Sequence, residues 1–271
     1  MSKRSNLSIV LSVLLSIYMM ICTGLYIGQK YLVFPAYLTQ PVPTDWRPKG
    51  IDSEQTKIAG ECGQLHVSLW RIANAKGTIM MFHGNGESLA SINEYVDAFL
   101  ELGYNLMAWD YPGYGQSTDC WFSQAMLLND AETAYQWLAT KEQPHRIYLF
   151  GYSIGTGIAV SVATRHQENP VYLVAAYDTL LNVAKDDMSK LFPIEWLLRY
   201  PMNTHQWLAE IDQTIYLIHG TQDTLIRPER AKSLVQSANG KAKIEWVNKA
   251  GHVDDRLFAY RNHWLKRLLP E

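Results

Sequence analysis

The chain is poor in cysteine, poor in charge and without a surplus of either sign. Three cysteines in 271 residues exclude a disulfide scaffold, which needs many more in a much shorter chain. Charged side chains make up 18%, below the roughly 25% of an average soluble domain. Lys plus Arg number 24 against 26 Asp plus Glu, a formal net charge of −2. Nucleic-acid binding by counterion release needs a cationic surplus on one face, so no nucleic-acid partner is expected. No internal repeat or low-complexity tract is present. His66, His83, His145 and His166 stand apart, and no Cys/His cluster has the spacing of metal ligands. Neither metal nor cofactor is expected.

What is there begins with a hydrophobic run. Leu7 to Gly28 carries no charged side chain, with Lys3 and Arg4 before it and Lys30 after it. About 20 apolar residues at helical rise cross a hydrocarbon core. Ser8, Ser12, Ser16 and Thr23 interrupt the run, but hydroxyls in a helix bond back to its own carbonyls. A cleaved signal peptide has a shorter core and a small-x-small site, and Cys22-Thr23-Gly24-Leu25 is a poor one. The bulky Met20 and Ile21 argue against lipid attachment at Cys22. Residues 1–30 are read as an uncleaved single-pass anchor with Tyr26 and Tyr31 at the interface. Lys3 and Arg4 then lie inside, and the rest of the chain faces away from the cytoplasm. Cys62 and Cys120 would share that oxidising side. Their separation is not given by sequence, and two buried free thiols are the expectation.

Residues 31–64 form a strap and first-strand region, with four prolines between Phe34 and Gly50. Beyond it, short apolar runs alternate with helically spaced segments. Strands are expected at 65–72, 77–82, 105–109, 146–150, 171–176, 215–219 and 243–247. Helices are expected at 89–102, 123–141, 154–166, 229–237 and 255–268. Such alternation means βαβ units and a mostly parallel sheet covered on both faces. The fold class is α/β, one domain over residues 65–271.

The chemistry sits in Gly151-Tyr-Ser153-Ile-Gly155, a G-x-S-x-G between a strand and a helix. The turn is so tight that side chains at either glycine would collide with neighbouring backbone, and it holds Ser153 strained with Oγ above the sheet. The helix N-terminus behind it favours developing negative charge. A nucleophilic serine needs a base, and the base needs an orienting acid. Asp223 follows the strand at 215–219, and His252 follows the strand at 243–247, in the order Ser, Asp, His that this elbow uses. Asp178 also follows a strand and stays open as the acid. The oxyanion donors are the amides of Ile154, directly after the serine, and of Asn85, in the His83-Gly-Asn-Gly loop. His83 is expected to shape that loop by bonding to its backbone.

These motifs, with Asp110-Tyr-Pro-Gly-Tyr-Gly-Gln-Ser117 and His219-Gly-Thr-Gln-Asp223, resemble the serine hydrolases of the α/β-hydrolase superfamily over residues 65–269. With the anchor and strap, the chain resembles the membrane-anchored α/β-hydrolase-domain-containing group. The resemblance implies an eight-stranded-type sheet with helices on both faces. It also implies a small lid and hydrolysis of acyl esters or thioesters of lipid-like substrates. Tyr177-Asp-Thr-Leu departs from the Ser-Pro-Phe-like stretch of many relatives. Dehalogenases and epoxide hydrolases of this fold place an aspartate at the elbow, and Ser153 argues against both. The lid is expected at about 178–213, with Phe192, Trp196 and Tyr200 on one face of a helix that has Pro193 near its start and Pro201 at its end. These rings either line an acyl pocket or pin the lid. A peptidase or amidase of the same fold is an alternative, although such relatives usually carry a large extra domain. A non-catalytic binding module is the other.

Overall fold

The apolar runs alternate in space although not in sequence. In Thr78–Phe82, Met80 and Phe82 face one hydrophobic core while Ile79 and Met81 face another. In Ile147–Tyr152, Ile147 and Leu149 take the first side, and Tyr148, Phe150 and Tyr152 the second. Successive strand side chains point to opposite faces, so a sheet covered on both faces demands apolar residues at every position.

A computed structural model describes residues 3–39, 51–188 and 191–270. Among these, eight strands form one sheet: β1 (Asp52–Gly60), β2 (Gly63–Arg71), β3 (Thr78–Phe82), β4 (Asn105–Trp109), β5 (Ile147–Tyr152), β6 (Val171–Val174), β7 (Ile215–Gly220) and β8 (Ala242–Val247). Their spatial order is β1-β2-β4-β3-β5-β6-β7-β8. β2 runs antiparallel to β1 and β4, and the other pairs are parallel. This is the α/β-hydrolase fold expected from the sequence. α3 (Gln124–Ala139), α4 (Gly155–Ala163) and α8 (Pro228–Ser237) bury residues in the core on one face. α2 (Asn93–Glu101) and α9 (Asp255–Leu268) close the other. Helix α2 starts later than its hydrophobic spacing suggests, because the Asp110 carboxylate captures the Leu89 amide at 2.9 Å and Ser88–Ser91 closes a turn. The strap residues 40–50 lie outside the described residues.

The apolar run of the N-terminus belongs to one helix, α1 (Lys3–Val33). Its segment Asn6–Val33 has a mean hydropathy of 2.1 and is long and apolar enough to cross a membrane. Buried Cys22 and Gln29 and half-buried Leu25 and Val33 recur at three and four, one helical face, and that face docks on the body. The side chains of Lys3 and Arg4 lie outside the described set.

Two expectations need correction. Cys62 and Cys120 are joined in a disulfide, with Cα atoms 6.4 Å apart, rather than buried as free thiols. The pairing comes from the β1–β2 turn meeting the loop at residue 118. There the Thr118 amide donates to the Gln64 carbonyl at 2.8 Å, and the Gln64 amide donates to Thr118 Oγ1 at 2.9 Å. Cys22 stays a buried free thiol. The second correction concerns the insertion between β6 and β7. It holds α5 (Leu180–Met188), α6 (Ile194–Leu197) and α7 (Thr204–Ala209), not one helix from Phe192 to Tyr200. Leu198 is extended, and residues before a proline are biased away from helix, here Tyr200 before Pro201. The freed backbone is satisfied by Gln29 of α1: its Nε2 donates to the Leu197 carbonyl at 2.6 Å, and its Oε1 accepts from the Arg199 amide at 2.7 Å.

Candidate active site

Ser153 sits between β5 and α4 with φ +52°, a left-handed conformation that non-glycine residues adopt only when their surroundings impose it. The flanking glycines impose it. A Cβ on Gly155 would lie 2.1 Å from the Phe82 carbonyl oxygen, and one on Gly151 would lie 2.7 Å from the Thr156 Cα. The Ser153 amide donates to the Val174 carbonyl at 3.0 Å, and Thr156 Oγ1 donates to the Ser153 carbonyl at 2.7 Å. The side chain is thereby aimed while its backbone is tied down.

Asp223 and His252 arrive from the ends of β7 and β8. Asp223 Oδ1 accepts from the Leu225 amide at 3.0 Å and the Ile226 amide at 2.8 Å. That turn leaves Oδ2 for His252 Nδ1, 2.7 Å away. His252 Nε2 lies 2.9 Å from Ser153 Oγ. The backbone under His252 is steadied by Tyr152, whose hydroxyl donates to the His252 carbonyl at 3.1 Å. His219 Nε2 donates to the Ile226 carbonyl at 2.8 Å, bracing the Asp223 turn, and burial pushes its imidazole pKa down, favouring the neutral ring. Asp178, the other acid considered, is engaged elsewhere. It accepts from the Thr179 amide at 2.7 Å, Asn182 Nδ2 at 2.9 Å and Arg230 Nη1 at 3.3 Å. A serine, an imidazole and a buried carboxylate in hydrogen-bonded series can pass the serine proton to Nε2 and stabilise the resulting cation.

The loop after β3 closes the near side. His83 Nδ1 donates to the Gly84 carbonyl at 2.9 Å, as a loop-shaping role requires. Tyr111 donates to the His83 carbonyl at 2.8 Å and Tyr114 to Asn85 Oδ1 at 2.9 Å. The Gly84 amide donates to Glu87 Oε2 at 2.6 Å. Burial pushes the Glu87 carboxyl up to about 7, against the pull of the Gly84 amide and the Arg261 and His252 charges. Asn85 and Ile154 flank Ser153 on the wall of one cavity of about 330 Å³.

The rest of that wall was missed from sequence. It includes Leu180, Val183 and Met188 of α5, Leu225 beside Asp223, and Leu32 and Val33 of α1. The spacing of Leu180, Val183, Ala184 and Met188 was a readable signal for α5. None existed for α1, whose hydropathy pointed only to a tether. The three aromatics singled out instead lie elsewhere. Trp196 is 87% exposed. Tyr200 is wholly buried and donates to the Phe122 carbonyl at 2.7 Å. Phe192 stacks on Tyr18 of α1, ring centroids 6.1 Å apart. Phe192 and Tyr200 pin the insertion to its neighbours, the other role open to these rings, while Trp196 points outward, because the helix that would have aligned them is a single turn.

The family described as serine aminopeptidase, S33, matches over residues 73–192. Human alpha/beta hydrolase domain-containing protein 17B is 28% identical over 201 residues, covering 73% of this chain and 68% of that protein. Mouse alpha/beta hydrolase domain-containing protein 17C is 28% identical over 199 residues, 72% of this chain and 60% of that one. An esterase of Pyrococcus furiosus superposes with a TM-score of 0.64 at 21% identity, covering 86% of this chain and 97% of the esterase. A cold-adapted esterase from an Arctic intertidal metagenomic library gives 0.64 at 15%, covering 86% and 100%. Likeness at such identities speaks for the fold alone. Taken with the sequence relatives, it places the chain in the α/β-hydrolase superfamily, a class of hydrolases. Its sequence relatives 17B and 17C are proteins of the α/β-hydrolase-domain group, which this chain resembles.

Proposed function

We propose that the chain is a membrane-tethered serine esterase that cleaves carboxylic ester or thioester bonds of acyl, lipid-like substrates. The observation that carries this reading is the hydrogen-bonded series Ser153–His252–Asp223, which opens into an apolar cavity. Ser153 Oγ attacks the acyl carbonyl while His252 Nε2 takes its proton. Asp223 holds the imidazole and balances its charge. The Asn85 and Ile154 amides receive the oxyanion. The proton then passes to the departing alcohol or thiol as its bond to the acyl carbon breaks. Water, deprotonated by His252, releases the acid and restores Ser153.

An aminopeptidase reading is less well supported. Among the described residues, the cavity wall carries no carboxylate to hold a substrate ammonium group, whereas an acyl chain matches Leu180, Val183, Ile226 and Leu225. A binding module has no need of a strained serine between two obligatory glycines. The disulfide supports a body on the oxidising, non-cytoplasmic side of the membrane.

The test is hydrolysis of p-nitrophenyl esters and acyl thioesters by the full chain and by Ser153→Ala. Turnover should fall by about ten-thousand-fold or more, and labelling by a fluorophosphonate should vanish with the fold intact. Undiminished turnover in the variant would falsify the assignment.

A further inference from the structure

The anchor helix does more than hold the body near a membrane. The apolar wall beside Ser153 does not end at the cavity. A second hollow of about 190 Å³ continues from it, sharing Leu32, Val33, Ala184, Met188 and Leu198, and running down α1 to Leu25. Its far wall is Ile194 and Leu197 of the β6–β7 insertion. The polar side chain in this stretch, Gln29, is buried and engaged by the Leu197 carbonyl and the Arg199 amide, and the other side chains of the hollow are apolar. From Val33 to Leu25 is eight residues, about 12 Å along the helix axis.

Position along the helix gives the direction of this groove. Leu25 lies inside the apolar segment Asn6–Val33. Deeper still, the Tyr18 hydroxyl donates to the Leu191 carbonyl at 3.2 Å, and its ring stacks on Phe192. The tip of the insertion is therefore fixed at the middle of the spanning helix, about 20 Å back from Val33. Around it, Leu191 and Trp196 are exposed, as suits side chains that meet lipid rather than water.

We propose that α1 and the α5–α6 insertion together form an acyl channel that opens sideways into the bilayer, so that the substrate is a long-chain acyl ester drawn directly from the membrane. This rests on the serine-esterase reading and adds to it the substrate class and the route of entry. The ester carbonyl sits at Ser153 and the tail lies between Leu25, Leu32 and Met188, leaving apolar surroundings for an apolar groove. The bonds made and broken are those of the esterase reaction above. A long tail exchanges lipid contacts for contacts along the whole groove, whereas an acetyl group uses only the cavity at Ser153.

The experiment uses the full chain in one detergent, with p-nitrophenyl acetate and p-nitrophenyl palmitate as paired probes. Leu25 lines the groove but not the Ser153 cavity. Leu25→Trp should lower kcat/KM for palmitate by about tenfold or more and leave acetate within about twofold. Ile27→Trp, on the exposed face of the same helix and outside the groove, should retain palmitate turnover. Palmitate hydrolysis untouched by Leu25→Trp, or an equal loss on both esters, overturns the channel. Wild-type cleavage of acetate without palmitate overturns the channel while sparing the esterase reading. Inertness toward both esters overturns both.

Discussion

Two apolar helices meet at Ser153, and they are built for opposite surroundings. α4 runs Gly155–Ala163 with every residue buried, wedged between sheet and helices. α1 is more than three times as long (31 residues against 9), and only 6% of its most apolar window is buried. Both read as hydrophobic in sequence. The difference is which surface completes them. α4 is completed by its own protein, so its small residues let β5 and the loop after β3 come close. α1 is completed on one face by the body, through Cys22, Leu25, Gln29 and Val33, while most of its other apolar side chains stay exposed. Hydrophobicity says that a segment avoids water, not where it goes instead.

The first way to sharpen the comparison is to attack the rigid end. Asp223 receives two amides on one oxygen and the imidazole on the other. Asp223→Asn keeps the shape but puts an amide donor or a neutral carbonyl opposite Nδ1, and His252 loses its preferred tautomer and its counter-charge. Turnover should fall by about 10^4-fold, the scale found for the same change in serine proteases, with little loss of folded stability. A loss below about tenfold would show that the imidazole is oriented by its backbone tie to Tyr152 and not by the acid.

A smaller effect is expected at the docked end. Gln29→Leu makes α1 more apolar still but strips the Leu197 carbonyl and the Arg199 amide of their partner. Leaving such groups unsatisfied costs about 1–3 kcal/mol. Hydrogen exchange at the Arg199 amide should quicken accordingly, while Ser153 labelling by a fluorophosphonate persists. Unchanged exchange breaks the comparison, because α1 would then be a tether with no hold on the insertion.

Legibility in the sequence depends on where each residue stands. The strand at Asn105–Trp109 and the helix at Asp255–Leu268 have the bounds their patterns suggest; the latter begins where the Asp254 side chain accepts from the Arg256 amide. Ser153, Asp223 and His252 were nameable because each comes after an apolar strand, and parallel strands deliver the residues at their carboxyl ends to one rim. β1 was only a region in the sequence, since Asp52–Gly60 is a polar edge strand ordered by pairing with β2. The disulfide and the α1 wall were illegible for a shared reason. Both depend on contacts between segments far apart in the chain, and no local period reports them.

The smallest effect tests whether the loop after β3 is as settled as the strands beneath it. Glu87 holds the Gly84 amide at 2.6 Å, one residue from the Asn85 amide assigned to the oxyanion. Its carboxyl keeps a proton up to about 7 when folded, against a usual value of 4.5. Between those values the folded chain binds more protons than the unfolded chain, so stability falls as pH rises through that window. Glu87→Gln removes the titration but keeps a carbonyl acceptor for Gly84. The Tm of the variant in detergent should hold steady relative to wild type at about pH 5 and gain by a few degrees toward about pH 8. The pH–rate profile should lose one ionisation in the same window. If the Tm difference is flat with pH, Glu87 is already ionised through its Arg261 neighbour. The loop would then be held by a fixed charge, as firmly as the Asp223 turn across the cavity.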